Sequence, residues 1–347
     1  MIIDNFFELL IVNYQLLISL SWPAVIINNM KRILITGASG CIGHYITERL
    51  IDNTDDELYL IVRNPEKLGF NYQKRPGIHL IQTPLQNIEQ FAELLKTINI
   101  AILAATSWGG VEEVYDVNVN KTLRLIQLLD HQICQHIIYF STASILNHQN
   151  QLLPEAGTLG TDYIRSKYQC LQQLSQLKNI PPVTVLFPTL VLGGDADKPY
   201  SHLSSGLPEV AKWVSLIRWF KADASFHFIH GADIAKVVEH GIHHPPQTPD
   251  QQYWVLGNAP VTANQAVEDA CAYFRQKIYF RIPLSLGLAN FFIFVFRIQM
   301  AEWDRFCLNY RHFTYQTVIN PGTFQLPTDC ATVTDIFRIF VPHTNSV

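Results

Sequence analysis

Residues Lys31–Leu50 read KRILITGASGCIGHYITERL, and this stretch decides the fold. A short apolar run, Ile33-Leu34-Ile35, stops at Thr36, and Gly37, Gly40 and Gly43 follow at three-residue intervals. Ile42, Tyr45, Ile46 and Leu50 then recur at helical spacing. Strand, glycine turn and helix form the geometry in which backbone N–H groups and a helix N-terminus face a dinucleotide pyrophosphate. In that reading Gly37 permits the tight turn, Gly40 lets the phosphate approach the backbone, and Gly43 lets helix and strand pack closely. The spacing is G-x-x-G-x-x-G and not G-x-G-x-x-G, which already narrows the choice within the Rossmann-like class.

The chain has 347 residues, enough for one large α/β unit or two modest domains. It is 48% hydrophobic and only 16% charged, which describes a core-rich protein and not a disordered one. A formal net charge of −4, with no Lys/Arg run, argues against capture of nucleic acid. The six cysteines (41, 134, 170, 271, 307, 330) are scattered without a C-x-x-C pair, as expected of free thiols in a reducing, cytoplasmic compartment. Residues 1–29 are apolar but carry Asp4 and Glu8 and no Lys or Arg, so they lack the positive start of a secretory signal. Asn13, Gln15 and Pro23 weaken a transmembrane reading of the same stretch. Met30 stands immediately before the first strand, and translation is expected to begin there, with 1–29 an extension outside the fold.

Strand-like and helix-like segments alternate from Lys31 to about Val191. Strands are expected at Leu58–Val62, Ile78–Ile81, Ala101–Ala104, Ile137–Phe140 and Val183–Phe187, and helices at Ile88–Thr97, Asn118–Leu129 and Tyr163–Leu177. The alternation predicts an α/β fold with a doubly wound parallel Rossmann sheet over 30–194. Residues 195–347 are expected to form a smaller, mostly helical substrate cap, with strand-like pieces at Phe226–Ile229 and Tyr253–Leu256 returning toward the sheet (about 226–258). Ile282–Phe296 is a charge-free stretch too short to span a bilayer. It is expected to be a buried cap helix, with an interfacial helix or the wall of an apolar pocket as the alternative; membrane contact is thus allowed but not the expectation.

Tyr163-Ile-Arg-Ser-Lys167 is the second informative motif. On a helix, i and i+4 put Tyr163 and Lys167 on one face. A phenol titrating near pH 10 is a poor acid or base at neutral pH, and a neighbouring ammonium favours the phenolate. Upstream, HIIYF ends in Ser141-Thr142-Ala143-Ser144, which places hydroxyls at a strand's carboxyl end, where such sheets bind ligands. Together with AILAATSWGG (101–110), VNVNKT (117–122), FPTLVLGG (187–194) and FIHGADIA (228–235), these fragments resemble the extended short-chain dehydrogenase/reductase superfamily, in its NAD-dependent epimerase/dehydratase branch.

The resemblance implies roles position by position. Tyr163 would be the general acid/base, and Lys167 would depress its pKa and bond the nicotinamide ribose. Thr142 would hydrogen-bond the reacting oxygen, with Ser141 and Ser144 as fallbacks, and Asn118 would brace the active-site helix and relay protons. Gly37, Ser39, Gly40, Cys41, Ile42 and Gly43 would follow the cofactor, although Cys41 in that turn most simply packs. Ala104 and Ala105 would line the cofactor, and Pro188 and Thr189 would follow the strand that closes over the nicotinamide. Many relatives dimerise through a four-helix bundle, which makes a homodimer an option here.

Cofactor choice is read from charge. A dinucleotide without a 2′-phosphate is usually held by an acid at the end of the second strand. Here that position carries Arg63, whose fork suits a phosphate. NADP(H) is therefore the expected cofactor, with NAD(H) the alternative if Arg63 only stacks on adenine. Where the branch has polar residues for a nucleotide sugar, this chain has Leu146, Phe187 and Phe226. A carbonyl or alcohol on an apolar small molecule is the expected substrate, transformed by an NADP(H)-dependent oxidoreductase. The alternatives are a nucleotide-sugar epimerase/dehydratase, with Arg218, Lys221 and Arg297 as candidate diphosphate ligands, and a non-catalytic NADP(H)-binding protein. No metal site is expected; His240, His243 and His244 read as a solvated helix end. Trp108 is expected either in the core or shaping the pocket, and Asp233 as a helix N-cap.

Overall fold

The computed structural model describes residues 30–248 and 250–342, so the extension 1–29 lies outside the described residues. Six strands carry the first half of the chain: β1 Arg32–Thr36, β2 Glu57–Val62, β3 Ile78–Gln82, β4 Ile100–Leu103, β5 His136–Phe140 and β6 Val183–Pro188. With Gln252–Leu256 they form one seven-stranded sheet. Its order is Gln252–Leu256, β6, β5, β4, β1, β2, β3, and all pairings are parallel. Strand order reverses direction between β1 and β4, and this switch point opens a crevice at the carboxyl ends.

Side-chain alternation divides the core between the two faces of the sheet. Leu34 on β1 and Ala101 and Leu103 on β4 join one cluster, whereas Ile33, Ile35, Ile100 and Ile102 join the other. Helix α1 (Cys41–Asn53) buries Ile46, Leu50 and Ile51 on the second face. It packs there against the helix Gly231–His243, and Arg49 pairs with Glu239 at 2.6 Å. A third, smaller cluster around Val214, Phe228, Cys271, Cys330 and Phe337 holds the carboxyl-terminal helices together.

Several local expectations need correction. Ile88–Thr97 is not one helix: Leu85–Phe91 is 3-10 and only Ala92–Leu95 is α-helical. Asn118 falls inside a π-turn, Asp116–Lys121, and the α-helix proper is Thr122–Leu128. The piece Phe226–Ile229 is two strands, Ser225–Phe226 and Phe228–His230, split at His227, whose ring donates from Nδ1 to the Asn258 carbonyl at 2.6 Å. Asp233 is not an N-cap. The cap of its helix is His230, while the buried Asp233 carboxylate accepts the backbone N–H groups of Asp329 (2.8 Å) and Cys330 (3.2 Å). Ile282–Phe296 is not a buried helix either: Phe294 is 82% exposed and Phe280, just before it, 62%.

Candidate active site

The turn between β1 and α1 follows directly from its three glycines. Gly37 has φ +78°, and a Cβ there would meet the Ala104 carbonyl carbon at 2.6 Å. A Cβ on Gly43 would sit 2.0 Å from the Gly37 carbonyl oxygen, so only glycine lets α1 close onto the turn. Gly40 differs, because a Cβ there would meet only the Gly37 oxygen at 3.4 Å and otherwise open space. It is the N-cap of α1, with no side chain capping the first turn and no acid in it. The free N–H groups and the positive helix end thus face outward, toward a cavity of about 790 Å³.

Fourteen of the sequence-predicted residues line that cavity: Gly37, Ser39, Gly40, Cys41, Ile42, Gly43, Arg63, Ala104, Ala105, Thr142, Tyr163, Lys167, Pro188 and Thr189. An uncapped glycine cradle at one end and a buried lysine with a tyrosine at the other fit an elongated dinucleotide carrying a pyrophosphate. Burial pushes the Cys41 thiol up to about 12, so it packs as a neutral group.

Asn118 is the exception, since it stands behind the wall and is fully buried. Its Oδ1 accepts from the Ser107 N–H (2.8 Å) and Thr106 Oγ1 (3.0 Å). Its Nδ2 donates to the Ser107 carbonyl (3.1 Å) and Ser166 Oγ (3.0 Å), and Ser166 Oγ donates to the Tyr163 carbonyl at 2.7 Å. All of its amide capacity is used in tying the loop after β4 to the tyrosine's helix. Asn118 is thereby a positioning residue and not a cavity-lining one.

Tyr163 and Lys167 lie on the helix Asp162–Leu174, capped by Thr161. Lys167 is buried, donates from Nζ to the Phe140 carbonyl at 2.8 Å, and lies 5.1 Å from the centre of the Tyr139 ring. Burial lowers its pKa to about 8. Burial also holds the Tyr163 phenol well above its ordinary value, opposed by a hydrogen bond with the Thr142 side chain. That direction is opposite to the depression expected from Lys167. Of the three hydroxyls weighed, Thr142 is the one whose side chain bonds Tyr163.

Trp108 is not a core residue. It is 56% exposed and stacks on the Tyr163 ring with centroids 3.7 Å apart and planes 18° apart. His202 meets the indole edge-on at 5.0 Å. His202, Leu203 and Trp303 also line the cavity, and no sequence motif pointed to them. The lysines and arginines lining the cavity are Arg63, Lys67 and Lys167. Arg218, Lys221 and Arg297 do not line it; Arg218 instead donates to the Lys277 carbonyl at 2.9 Å. Among the described residues no cluster of His, Cys, Asp or Glu could hold a metal, and His240 stacks on Phe324 and His244.

The sheet order and the glycine cradle define a Rossmann-type dinucleotide-binding enzyme. The chain belongs to the NAD dependent epimerase/dehydratase family, whose model matches residues 33–257. Solved structures share the fold at low identity. The protein gox2253 is 17% identical, with a TM-score of 0.65, over 90% of this chain and 99% of its own. The enzyme WbmG of Bordetella bronchiseptica, solved with NAD, is 13% identical with a TM-score of 0.60, over 91% and 94%. UDP-N-acetylglucosamine 4-epimerase of Methanobrevibacter ruminantium M1, solved with UDP-N-acetylmuramic acid, is 17% identical with a TM-score of 0.57, over 91% and 97%.

Proposed function

We propose that this chain is an NADP(H)-dependent oxidoreductase acting on a carbonyl or alcohol of an apolar small molecule. The observation that carries the reading is the make-up of the cavity wall. Its lysines and arginines are Arg63, Lys67 and Lys167, while Trp108, which stacks on Tyr163, Leu203 and Trp303 are apolar members of the same wall. With Lys167 assigned to the nicotinamide ribose, a substrate diphosphate would find among the described residues no further lysine or arginine of the wall beside Tyr163.

In the reductive direction Tyr163 donates its phenolic proton to the substrate oxygen, and Thr142 donates its hydroxyl proton to the phenolate left behind. Lys167 uses one N–H on Phe140 and keeps two for a ribose hydroxyl. A bound nicotinamide dinucleotide supplies the hydride that the carbonyl carbon gains. Arg63 reaches Glu113 at 3.2 Å with its side chain 68% exposed, so it is available to a 2′-phosphate.

Family membership and the sugar-nucleotide epimerases of like fold favour a second reading, epimerisation of a nucleotide sugar. Fluorescence titration with NADPH and NADH, then an assay of apolar ketones against UDP-sugars, separates the two. The first reading expects tighter NADPH binding and net oxidation of it by ketones. Equal affinities would remove the NADP(H) preference. Conversion of a UDP-sugar with no net redox change would replace the first reading by the second.

A further inference from the structure

The segment 275–301 combines features that the catalytic reading leaves unused. It contains Arg275, Lys277, Arg281 and Arg297 and no aspartate or glutamate. Its large apolar side chains face outward: Phe294 is 82% exposed, Tyr279 73%, Phe280 62%, Ile298 53%, Val295 49% and Ile282 44%. The segment is nonetheless anchored. Ile282–Pro283 pairs in parallel with Phe220–Lys221, the Arg281 guanidinium bonds Glu268 at 2.8 Å, and Trp219 packs against Phe280 with ring centroids 5.0 Å apart. On the neighbouring helix His202–Ile217, Trp213 is 53% exposed and Leu216 49%.

Leu286–Val295 is a ten-residue helix without a charged residue. Its rise of roughly 15 Å is half a bilayer core, so it cannot span one. Among the described residues no helix is long and apolar enough to cross a membrane. Arg275, Lys277 and Arg297 are exposed, and among the described residues none of them is paired with a carboxylate. Exposed aromatics flanked by unpaired cations match the headgroup region of an anionic bilayer, which takes rings at the interface and attracts basic side chains.

We propose that the 275–301 segment docks this protein on an anionic lipid surface, with Phe280 and Phe294 entering the interface and Lys277 and Arg297 meeting the headgroups. Charge decides against a second copy as the occupant. A two-fold contact would set this patch against itself, cation against cation, with no acid in the segment to relieve the repulsion. The catalytic reading is independent of this surface, so either can fail alone.

The test is co-sedimentation of the full chain with phosphatidylcholine vesicles, with and without phosphatidylglycerol, alongside light scattering to fix the oligomeric state. Wild type is expected to sediment with the anionic vesicles and to be released by salt. The double variant F280E/F294E, whose sites are exposed and whose fold circular dichroism checks, is expected to bind at least ~10-fold more weakly. K277E/R297E is expected to lose the preference for anionic lipid. Absence of vesicle binding by wild type overturns the proposal. So does undiminished binding by F280E/F294E, which would place the contact elsewhere in the chain. A wild-type dimer that becomes a monomer in F280E/F294E, with no vesicle binding, assigns the patch to a second copy instead.

Discussion

The two ends of the central cavity are built from different materials. At the pyrophosphate end the wall is backbone: a glycine at φ +78°, a helix N-terminus without a side-chain cap, and two positions where any Cβ would collide with main chain. At the other end the wall is side chains from distant segments, with Trp108 over Tyr163 and His202 against Trp108. A backbone wall suits a ligand part recognised by charge and shape alone, and leaves no room for a side chain at Gly37 or Gly43. A side-chain wall can change its ligand by changing residues, and under the proposed function substrate choice is expected there.

This contrast can be broken experimentally. Tyr163→Phe is expected to cost at least ~10² in turnover, with dinucleotide affinity held within a few fold. Steady-state kinetics beside a fluorescence titration measure both, and a fully active variant would separate the tyrosine from the chemistry. The reductive kcat/KM should also fall above about pH 8, where Lys167 loses its proton while the Tyr163 phenol keeps its own. A flat profile through pH 9 would show that the lysine charge is not used.

The supporting sheet should show its own sensitivity to acid. His136 on β5 is buried, with Nδ1 donating to the Gly241 carbonyl (3.2 Å) and Nε2 accepting from Thr184 Oγ1 (2.8 Å), and burial lowers its pKa to about 4. The unfolded imidazole titrates near 6.5, so its contribution is complete above that pH and is lost as pH falls toward 4. The loss amounts to roughly 3 kcal/mol at the acid end. Urea midpoints should drop over that window in wild type and drop less in His136→Gln; equal slopes would reject the assignment.

Gly43→Ala tests the backbone end. Its Cβ meets a carbonyl oxygen that cannot step aside, and a loss of about 1–3 kcal/mol together with weakened dinucleotide binding is expected. Thermal shifts with and without NADPH read both effects, and an unchanged response to cofactor would mean that the turn is more plastic than its packing suggests. Trp108→Ala is expected to be the mildest change, leaving fold and cofactor affinity alone. Because it alters the wall above Tyr163, the order of preference among ketones should shift several fold. An unchanged order would take substrate choice away from that side chain.

What was legible in the chain follows the same division. Parallel strands buried on both faces read as apolar runs, and glycine spacing reports directly on backbone approach, so the sheet, the cradle and the Tyr163–Lys167 helix could be located from residues alone. Short-range signals fail where tertiary contacts decide. Asp233 stands in the first turn of its helix, yet its carboxylate is taken by Asp329 and Cys330, almost a hundred residues on. Trp303 and His202 carry no local mark of the cavity they line. The apolar composition of 282–296 suggested burial because composition reports affinity for an apolar phase, not which phase satisfies it.

The π-turn at Asp116–Lys121 has a consequence for how this chain tolerates change in length. One extra residue in that turn sets the helical phase before Asn118 about 100° away from the phase after it. This offset lets Asn118 reach both Ser107 and Ser166 while Leu123, Leu125 and Ile126 still face the core. Deleting a single residue between 116 and 121 is expected to restore regular winding and to swing the asparagine off the tyrosine's helix.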